Sequence, residues 1–141
     1  MTANILLRKA WAIRLAWPVS SAVLLRLHAG DVAALDCEDG LASLYAVLDG
    51  DNPLGDFGAY QAVAEVTPGW ELFRPGAGAK PTRGMVGQRE ISPSLMITIH
   101  IPGEAPQAEV DAAIARLLAA HPWEIPVAEV SEVALAARSQ A

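Results

Sequence analysis

The sequence of 141 residues predicts one α+β domain with a ferredoxin-like βαββαβ order, in which two helices cover one face of an antiparallel sheet. Two observations carry this prediction. Two segments show the apolar spacing of an amphipathic helix, and the residues between and after them alternate as strands do. Hydrophobic residues make up 52% of the chain, which is ample material for a single core.

The N-terminal segment is the least regular part of the pattern. Residues 1–21 match no element clearly, and we expect the first core strand somewhere between residues 12 and 36. Ala22–His28 fits either a strand or the end of a helix that Gly30 closes. The sequence leaves both alternatives open.

A helix is predicted over residues 41–48. Its apolar face has the i, i+3, i+4, i+7 spacing and consists of Leu41, Leu44, Tyr45 and Leu48. Glu38 and Asp39 precede this segment, where acidic side chains suit the positive end of the helix dipole. Gly50 follows it and begins a turn-rich loop, so the helix is expected to end there.

Two short strands and one long strand are predicted next. Tyr60–Val66 and Trp70–Phe73 have β character and are separated by Pro68-Gly69. After the glycine- and proline-rich loop 75–87, residues 94–101 alternate strictly between isoleucine or leucine and smaller or polar side chains. This alternation is the strongest strand signal in the chain.

The second helix and the last strand complete the predicted order. Pro106 suits the first turn of a helix, and Pro122 stops it. Its apolar face consists of Val110, Ile114, Leu117, Leu118 and His121. Residues 123–127 then alternate as the last strand, and residues 131–141 read as a loosely helical, alanine-rich C-terminal tail.

Charge and composition narrow the class of protein. The net charge of −6 argues against a nucleic-acid-binding protein, because such proteins usually carry a basic surface that contacts the phosphates. Residues 72–89 nevertheless carry +4, so the rest of the chain carries −10. Charged residues make up only 18%, which is low for a small monomer and predicts that apolar surface is covered by self-association.

The cysteine count and the hydropathy pattern predict a cytoplasmic protein. Cys37 is the single cysteine and has no intramolecular partner for a disulfide, as is usual in a reducing compartment. No apolar stretch reaches the roughly 20 residues of a membrane span, because Arg14 and Arg26 interrupt the N-terminal one. We expect neither a membrane partner nor a secretory signal.

An ordered set of short motifs resembles a known family. The motifs are Gly58-Ala59-Tyr60, Pro68-Gly69, Phe73-Arg74-Pro75-Gly76-Ala77-Gly78-Ala79-Lys80-Pro81, Gly84, Gly87 and His121-Pro122-Trp123-Glu124. Together they resemble the small CutA-like, PII-like insert domain of the Ngg-interacting-factor family and its stand-alone bacterial relatives. The resemblance spans about residues 40–130. It implies a homotrimer with ligand sites in the clefts between subunits.

The sequence departs from the family pattern at positions suited to chemistry. Val63 stands where the family has cysteine, and Met96 and Thr98 stand where it tends to have arginine and glutamate. Lys80 replaces an asparagine, and Trp123 replaces a tyrosine. These changes remove ligands from any soft or carboxylate-rich metal site.

Two sets of candidate binding residues follow. The loop set could hold a small anion through backbone N–H groups and cations, and it consists of Arg74, Gly76, Gly78, Lys80 and Arg83. The metal set is His121 and Glu124, as ligands of a divalent ion. The alternative for His121 is a helix cap whose side chain bonds the last helical carbonyls. The alternative for the loop is a solvated surface segment.

The sequence thus predicts a non-catalytic, trimeric binding protein for a small anionic ligand or a divalent metal. A trimeric scaffold without a small ligand is the first alternative. A hydrolase is the second, although no serine lies in a G-x-S-x-G elbow.

Overall fold

The computed structural model describes residues 4–37 and 41–139. The four strands and the helices are β1 Ile5–Pro18, α1 Ser21–His28, a 3₁₀ helix Val32–Asp36, α2 Ala42–Leu48, β2 Glu65–Phe73, β3 Glu90–Pro102, α3 Gln107–Ala120 and β4 Glu129–Arg138. The strands form one antiparallel sheet in the order β2-β3-β1-β4. This is the ferredoxin-like α+β arrangement that the sequence predicts. Across the described ranges, no helix combines the length and the apolar character needed to cross a membrane.

The core lies between the helices and one face of the sheet. Alternate side chains of the two central strands point into it: Ile13, Leu15 and Trp17 from β1, and Leu95, Ile97, Ile99 and Ile101 from β3. The helices contribute the leucines of α2 that the spacing predicts, with Val110 and Leu117 of α3. Period-two and period-3.6 patterns therefore meet in one buried layer.

The helix predictions are confirmed. Both α2 and α3 lie where the spacing places them, and residues 22–28 form a helix rather than a strand. The hydroxyl of Ser20 caps α1 by accepting the N–H of Val23 at 3.1 Å. Gly30 follows α1 with a φ of +78°, the conformation expected of a C-terminal glycine. Glu38 and Asp39 lie outside the described residues.

The second strand differs from the prediction. Tyr60–Val66 and Trp70–Phe73 are not two strands, because a single strand runs from Glu65 to Phe73 through Pro68-Gly69. β2 is an edge strand, and a proline is tolerated there when its nitrogen faces away from the neighbouring strand. The Pro-Gly pair therefore interrupts no hydrogen bond to β3.

The last strand and the termini also correct the prediction. Residues 123–127 are not a strand, and the tail predicted as helical is strand β4, which pairs with residues 5–14 of β1. Alanine favours helices intrinsically, but pairing along the edge of β1 outweighs that preference here. The first strand was expected between residues 12 and 36, and this is corrected as well: β1 is Ile5–Pro18, so it begins within the poorly assigned segment 1–21 and ends by residue 18.

Two backbone carbonyls of the central strands lie beyond the ends of β2 and β4, and residues outside the sheet form hydrogen bonds to them. β2 begins opposite Thr98, and beyond it the N–H of Gly55 donates to the carbonyl of His100 at 2.8 Å. β4 begins opposite Arg14, and beyond it a ring nitrogen of His121 lies 2.6 Å from the carbonyl oxygen of Ala16. The carbonyl oxygens of His100 and Ala16, which have no partner strand at these positions, are thus hydrogen-bonded by residues outside the sheet.

A candidate binding cleft

A small cleft forms where the loop 75–87 meets the segment after α3. Its volume is about 240 Å³, and its wall is mainly apolar, with a few polar groups. The lining residues are Glu71, Phe73, Pro75, Ala79, Pro81, Thr82, Arg83, Trp123, Glu124 and Ile125. The β2–β3 register turns Glu71 and Phe73 away from the core, so the cleft lies on the sheet face opposite the helices. We call it the loop cleft.

Hydrogen bonds fix the loop against the segment after α3. The backbone N–H of Lys80 donates to Oε2 of Glu124 at 2.9 Å, and the hydroxyl of Thr82 donates to the carbonyl of Pro122 at 3.2 Å. The loop is closed at its base, where the N–H of Gly87 donates to the carbonyl of Pro75 at 2.8 Å. Two segments about forty residues apart in sequence are thereby held as one wall.

Trp123 crosses to the edge strand and forms the floor of the loop cleft. Its indole N–H donates to Oε1 of Glu71 at 3.0 Å. Its ring packs edge-to-face against Phe73, with centroids 5.7 Å apart. The glutamate fixes the rotation of the indole, so the aromatic surface has one orientation.

His121 positions the chain that carries Trp123. It is the buried residue at the end of α3, and its ring packs against Trp17 with centroids 4.7 Å apart. Nε2 lies 2.6 Å from the carbonyl oxygen of Ala16, and Nδ1 accepts the backbone N–H of Trp123 at 3.0 Å. A carbonyl only accepts and an amide N–H only donates, so the ring is neutral with its proton on Nε2.

Burial favours the same neutral form. Desolvation of the His121 ring lowers its pKa below the ordinary value of 6.5, although the hydrogen bond to Ala16 and the charge of Glu71 oppose the shift.

The alternative prediction for His121, a cap at the end of α3, is correct for its backbone and wrong for its side chain. His121 does end α3, with its N–H on the carbonyl of Leu118, but its side chain bonds Ala16 and Trp123 instead of the last helical carbonyls.

The structure brings only some of the predicted ligand residues together. Arg83 and Glu124 line the loop cleft, and Lys80 adjoins it through the backbone bond to Glu124. Gly76 accepts the N–H of Ala79 in a turn of the loop, and Gly78 is exposed. Arg74 lies apart, in a second groove on the other side of Phe73.

Arg83 presents its terminal amino groups. Its Nε meets Oε1 of Glu90 at 3.4 Å, and this is the hydrogen bond that its guanidinium makes within the described part of the chain. Glu71 and Glu124, the two carboxylates of the cleft, each already accept an N–H from the protein. The terminal amino groups of Arg83 are therefore the strongest donors that remain for a ligand.

The predicted metal pair is not preassembled within one chain. Both ring nitrogens of His121 are hydrogen-bonded, and one oxygen of Glu124 is occupied by Lys80. Throughout residues 4–37 and 41–139, no three His, Cys, Asp or Glu side chains are grouped closely enough to hold a metal ion. Metal binding by His121 would require the ring to give up one of its bonds.

Two features of the cleft were not predicted from the sequence. Glu71 binds the indole of a residue 52 positions away, and no local pattern indicates that contact. The inward direction of His121 follows from the uncovered carbonyl of Ala16, which depends on where β4 begins. The position of His121 on the apolar face of α3 was the one signal that pointed inward.

Comparison with known proteins shows the fold. The chain superimposes on the crystal structure of a Bacillus cereus protein related to NIF3 with a TM-score of 0.57 and 19% sequence identity. The similarity covers 94% of this chain and 27% of that chain, so this chain spans about a quarter of that protein's length. No protein-family model and no curated protein matches the sequence. At this identity the likeness shows a shared fold, and the CutA-like, PII-like assignment stays a prediction.

Proposed function

We propose that the protein is a non-catalytic, homotrimeric binding protein that takes a small organic anion in the loop cleft. The observation that carries the proposal is Arg83, whose guanidinium is held through Nε while its terminal amino groups are left for a ligand. Such a fork matches a carboxylate or phosphate in two parallel hydrogen bonds. The anion is favoured over the metal for two reasons within the described residues. The terminal amino groups of Arg83 make no hydrogen bond while its Nε pairs with Glu90, and no group of three metal-ligating side chains is present.

The shape of the cleft restricts the ligand further. Trp123 and Phe73 supply an oriented aromatic wall, and about 240 Å³ is room for one ring or a short aliphatic chain. An apolar pocket with a few convergent polar groups is the usual form of a small-molecule site. The anionic group would lie against Arg83 and the apolar part against Trp123.

The homotrimer is part of this proposal. The low charged fraction of 18% and several exposed large apolar side chains favour burial of surface between copies. Neighbouring copies would then complete the open side of the loop cleft. A scaffold without a small ligand is the second candidate, and the exposed apolar side chains of β2 favour it.

We expect phenyl phosphate to quench the tryptophan fluorescence of the protein saturably, because the phosphate pairs with Arg83 and the ring stacks at Trp123. Arg83→Gln should weaken this binding about tenfold or more, the loss expected for a charge-assisted hydrogen-bond pair. Fluorescence titration measures the affinity, and native mass spectrometry of the same samples counts subunits and retained ligands.

The matched control is Arg138→Gln, which removes one exposed cation from β4, on the opposite edge of the sheet. It should leave the affinity for phenyl phosphate unchanged. Equal affinities for the wild type and Arg83→Gln would refute the anion site. A trimer that binds no phenyl phosphate would favour the scaffold.

A further inference from the structure

The outer edge of β2 is open to a further strand. β2 pairs with β3 on one side, and in the described part of the chain it pairs with no strand on the other. Pro68 has no N–H, so its nitrogen faces the open side. Backbone direction alternates along a strand, and the N–H and C=O groups of Trp70 and Leu72 therefore also face the open side. The backbone groups of Trp70 and Leu72 on this side therefore have no partner strand in the described part of the chain.

An apolar stripe runs beside this edge. The register places Trp70 opposite Pro93 and Leu72 opposite Ile91, so their side chains share one face of the sheet. Trp70, Leu72 and Ile91 are 62%, 75% and 51% exposed. We call these three residues the β2 stripe. Large apolar side chains grouped in this way mark an interaction surface rather than scattered exposure.

Two arginines lie at the end of the β2 stripe. Arg74 and Arg89 line one groove together with Leu72 and Ile91, and one more step of the register sets the two arginines opposite each other. Like charges in opposed positions repel. Neither guanidinium has a carboxylate within ion-pairing distance among residues 4–37 and 41–139, and the neighbouring Glu90 is engaged by Arg83. An incoming anion would relieve this repulsion.

From this arrangement we propose that β2 binds an extended peptide with an acidic C-terminus, by strand addition. The peptide backbone pairs with Trp70 and Leu72, its alternate apolar side chains lie on the β2 stripe, and its terminal carboxylates bind Arg74 and Arg89. Main-chain bonds give affinity and the alternate side chains give specificity in this mode of recognition. The site is separate from the loop cleft, so this proposal does not depend on the small anion.

Charge complementarity favours such a partner over the chain's own exposed strands. β1 and β4 extend beyond the end of β3 as a two-stranded arm, residues 5–9 and 134–138, with exposed Ile5 and Leu7. This arm carries Lys9, Arg138 and Arg8, of which Arg8 pairs with Glu104 at 2.9 Å, and it has no acidic residue of its own. Docked on the β2 stripe of a second copy, it would bring further cations to the arginine pair.

The test is an array of ten-residue peptides with free C-termini, probed with the full-length protein. We expect enrichment of peptides that end in Asp or Glu after alternating apolar residues. Arg74→Glu/Arg89→Glu should reverse the preference toward peptides that end in Lys or Arg, because the charge of the site is inverted. Trp70→Thr should reduce binding of all selected peptides at least about tenfold, the effect of removing an aromatic anchor that the bound peptide would cover.

The matched control is Lys9→Glu/Arg138→Glu, which makes the same charge change on the opposite side of the sheet and should keep the acidic preference. An array without acidic enrichment, or a preference that the Arg74→Glu/Arg89→Glu variant leaves unchanged, would overturn the proposal. The last measurement is analytical ultracentrifugation of the Leu72→Lys variant, which gives its subunit number. A fall in subunit number would show that a second copy covers the β2 stripe, which also overturns it, whereas an unchanged number is expected.

Discussion

Replacing Gly55 by alanine is expected to lower the free energy of unfolding by about 2–5 kcal/mol. Gly55 has a φ of +64°, a conformation in which a Cβ atom is strained. A Cβ there would also lie 2.5 Å from both the backbone nitrogen and the backbone oxygen of Val63. Because these are backbone atoms of a closed loop, the clash is relieved only by moving the loop. Urea unfolding followed by circular dichroism measures the loss.

The loss should exceed that of conformational strain alone, because Gly55 joins the loop to the sheet. Its N–H donates to His100 on β3, and its carbonyl accepts the N–H of Val63 at 3.0 Å. Gly58→Ala is the matched control, since Gly58 has a φ of +83° but no atom within 4 Å of an added Cβ. It should cost only about 1–2 kcal/mol. Equal losses in the two variants would contradict the steric argument.

The sequence correctly predicts the elements in which the spacing of apolar residues follows directly from the face that is buried. β3 alternates because one of its faces is core, and α2 and α3 repeat at helical spacing because each buries one stripe. β4 was missed for the converse reason. Its side chains are mostly exposed and rich in alanine, so its strand character comes from hydrogen bonds to β1 and not from a local pattern.

The sequence indicates the two segments that form the candidate cleft, but it does not indicate how these segments contact each other. The motif resemblance singled out the loop and His121-Pro122-Trp123-Glu124, and the structure joins them through the bond from Lys80 to Glu124. Arg74 and Arg83 looked equivalent in the sequence because both belong to one basic segment. They lie in different grooves because Arg74 continues the alternation of β2, whereas Arg83 lies nine residues later on the folded loop.

Acidification is expected to destabilise the protein through His121. Its folded pKa lies below the ordinary value of 6.5, so the unfolded chain binds the proton more readily than the folded one. The contribution of His121 to stability is therefore complete above about pH 6.5, and it is lost as the pH falls from there through the lower, folded pKa. Protonation of Nδ1 would also remove the acceptor for the N–H of Trp123. Urea unfolding midpoints between pH 7.5 and 5 measure this dependence.

The His121→Gln variant separates this effect from general acid denaturation. It should cost about 1–3 kcal/mol at pH 7.5, where two well-placed hydrogen bonds are disturbed, and the loss relative to wild type should shrink at pH 5. His28→Gln is the matched control, because His28 is an exposed residue in the last turn of α1, and it should keep the wild-type pH dependence. Phenyl phosphate itself gains a proton at about pH 6, so its binding should weaken in every variant over this range. Since the His121 ring holds the backbone of Trp123, the binding should weaken more steeply in the wild type and in His28→Gln than in His121→Gln. A His121→Gln variant that unfolds in acid as steeply as the wild type would show that another group carries the pH dependence.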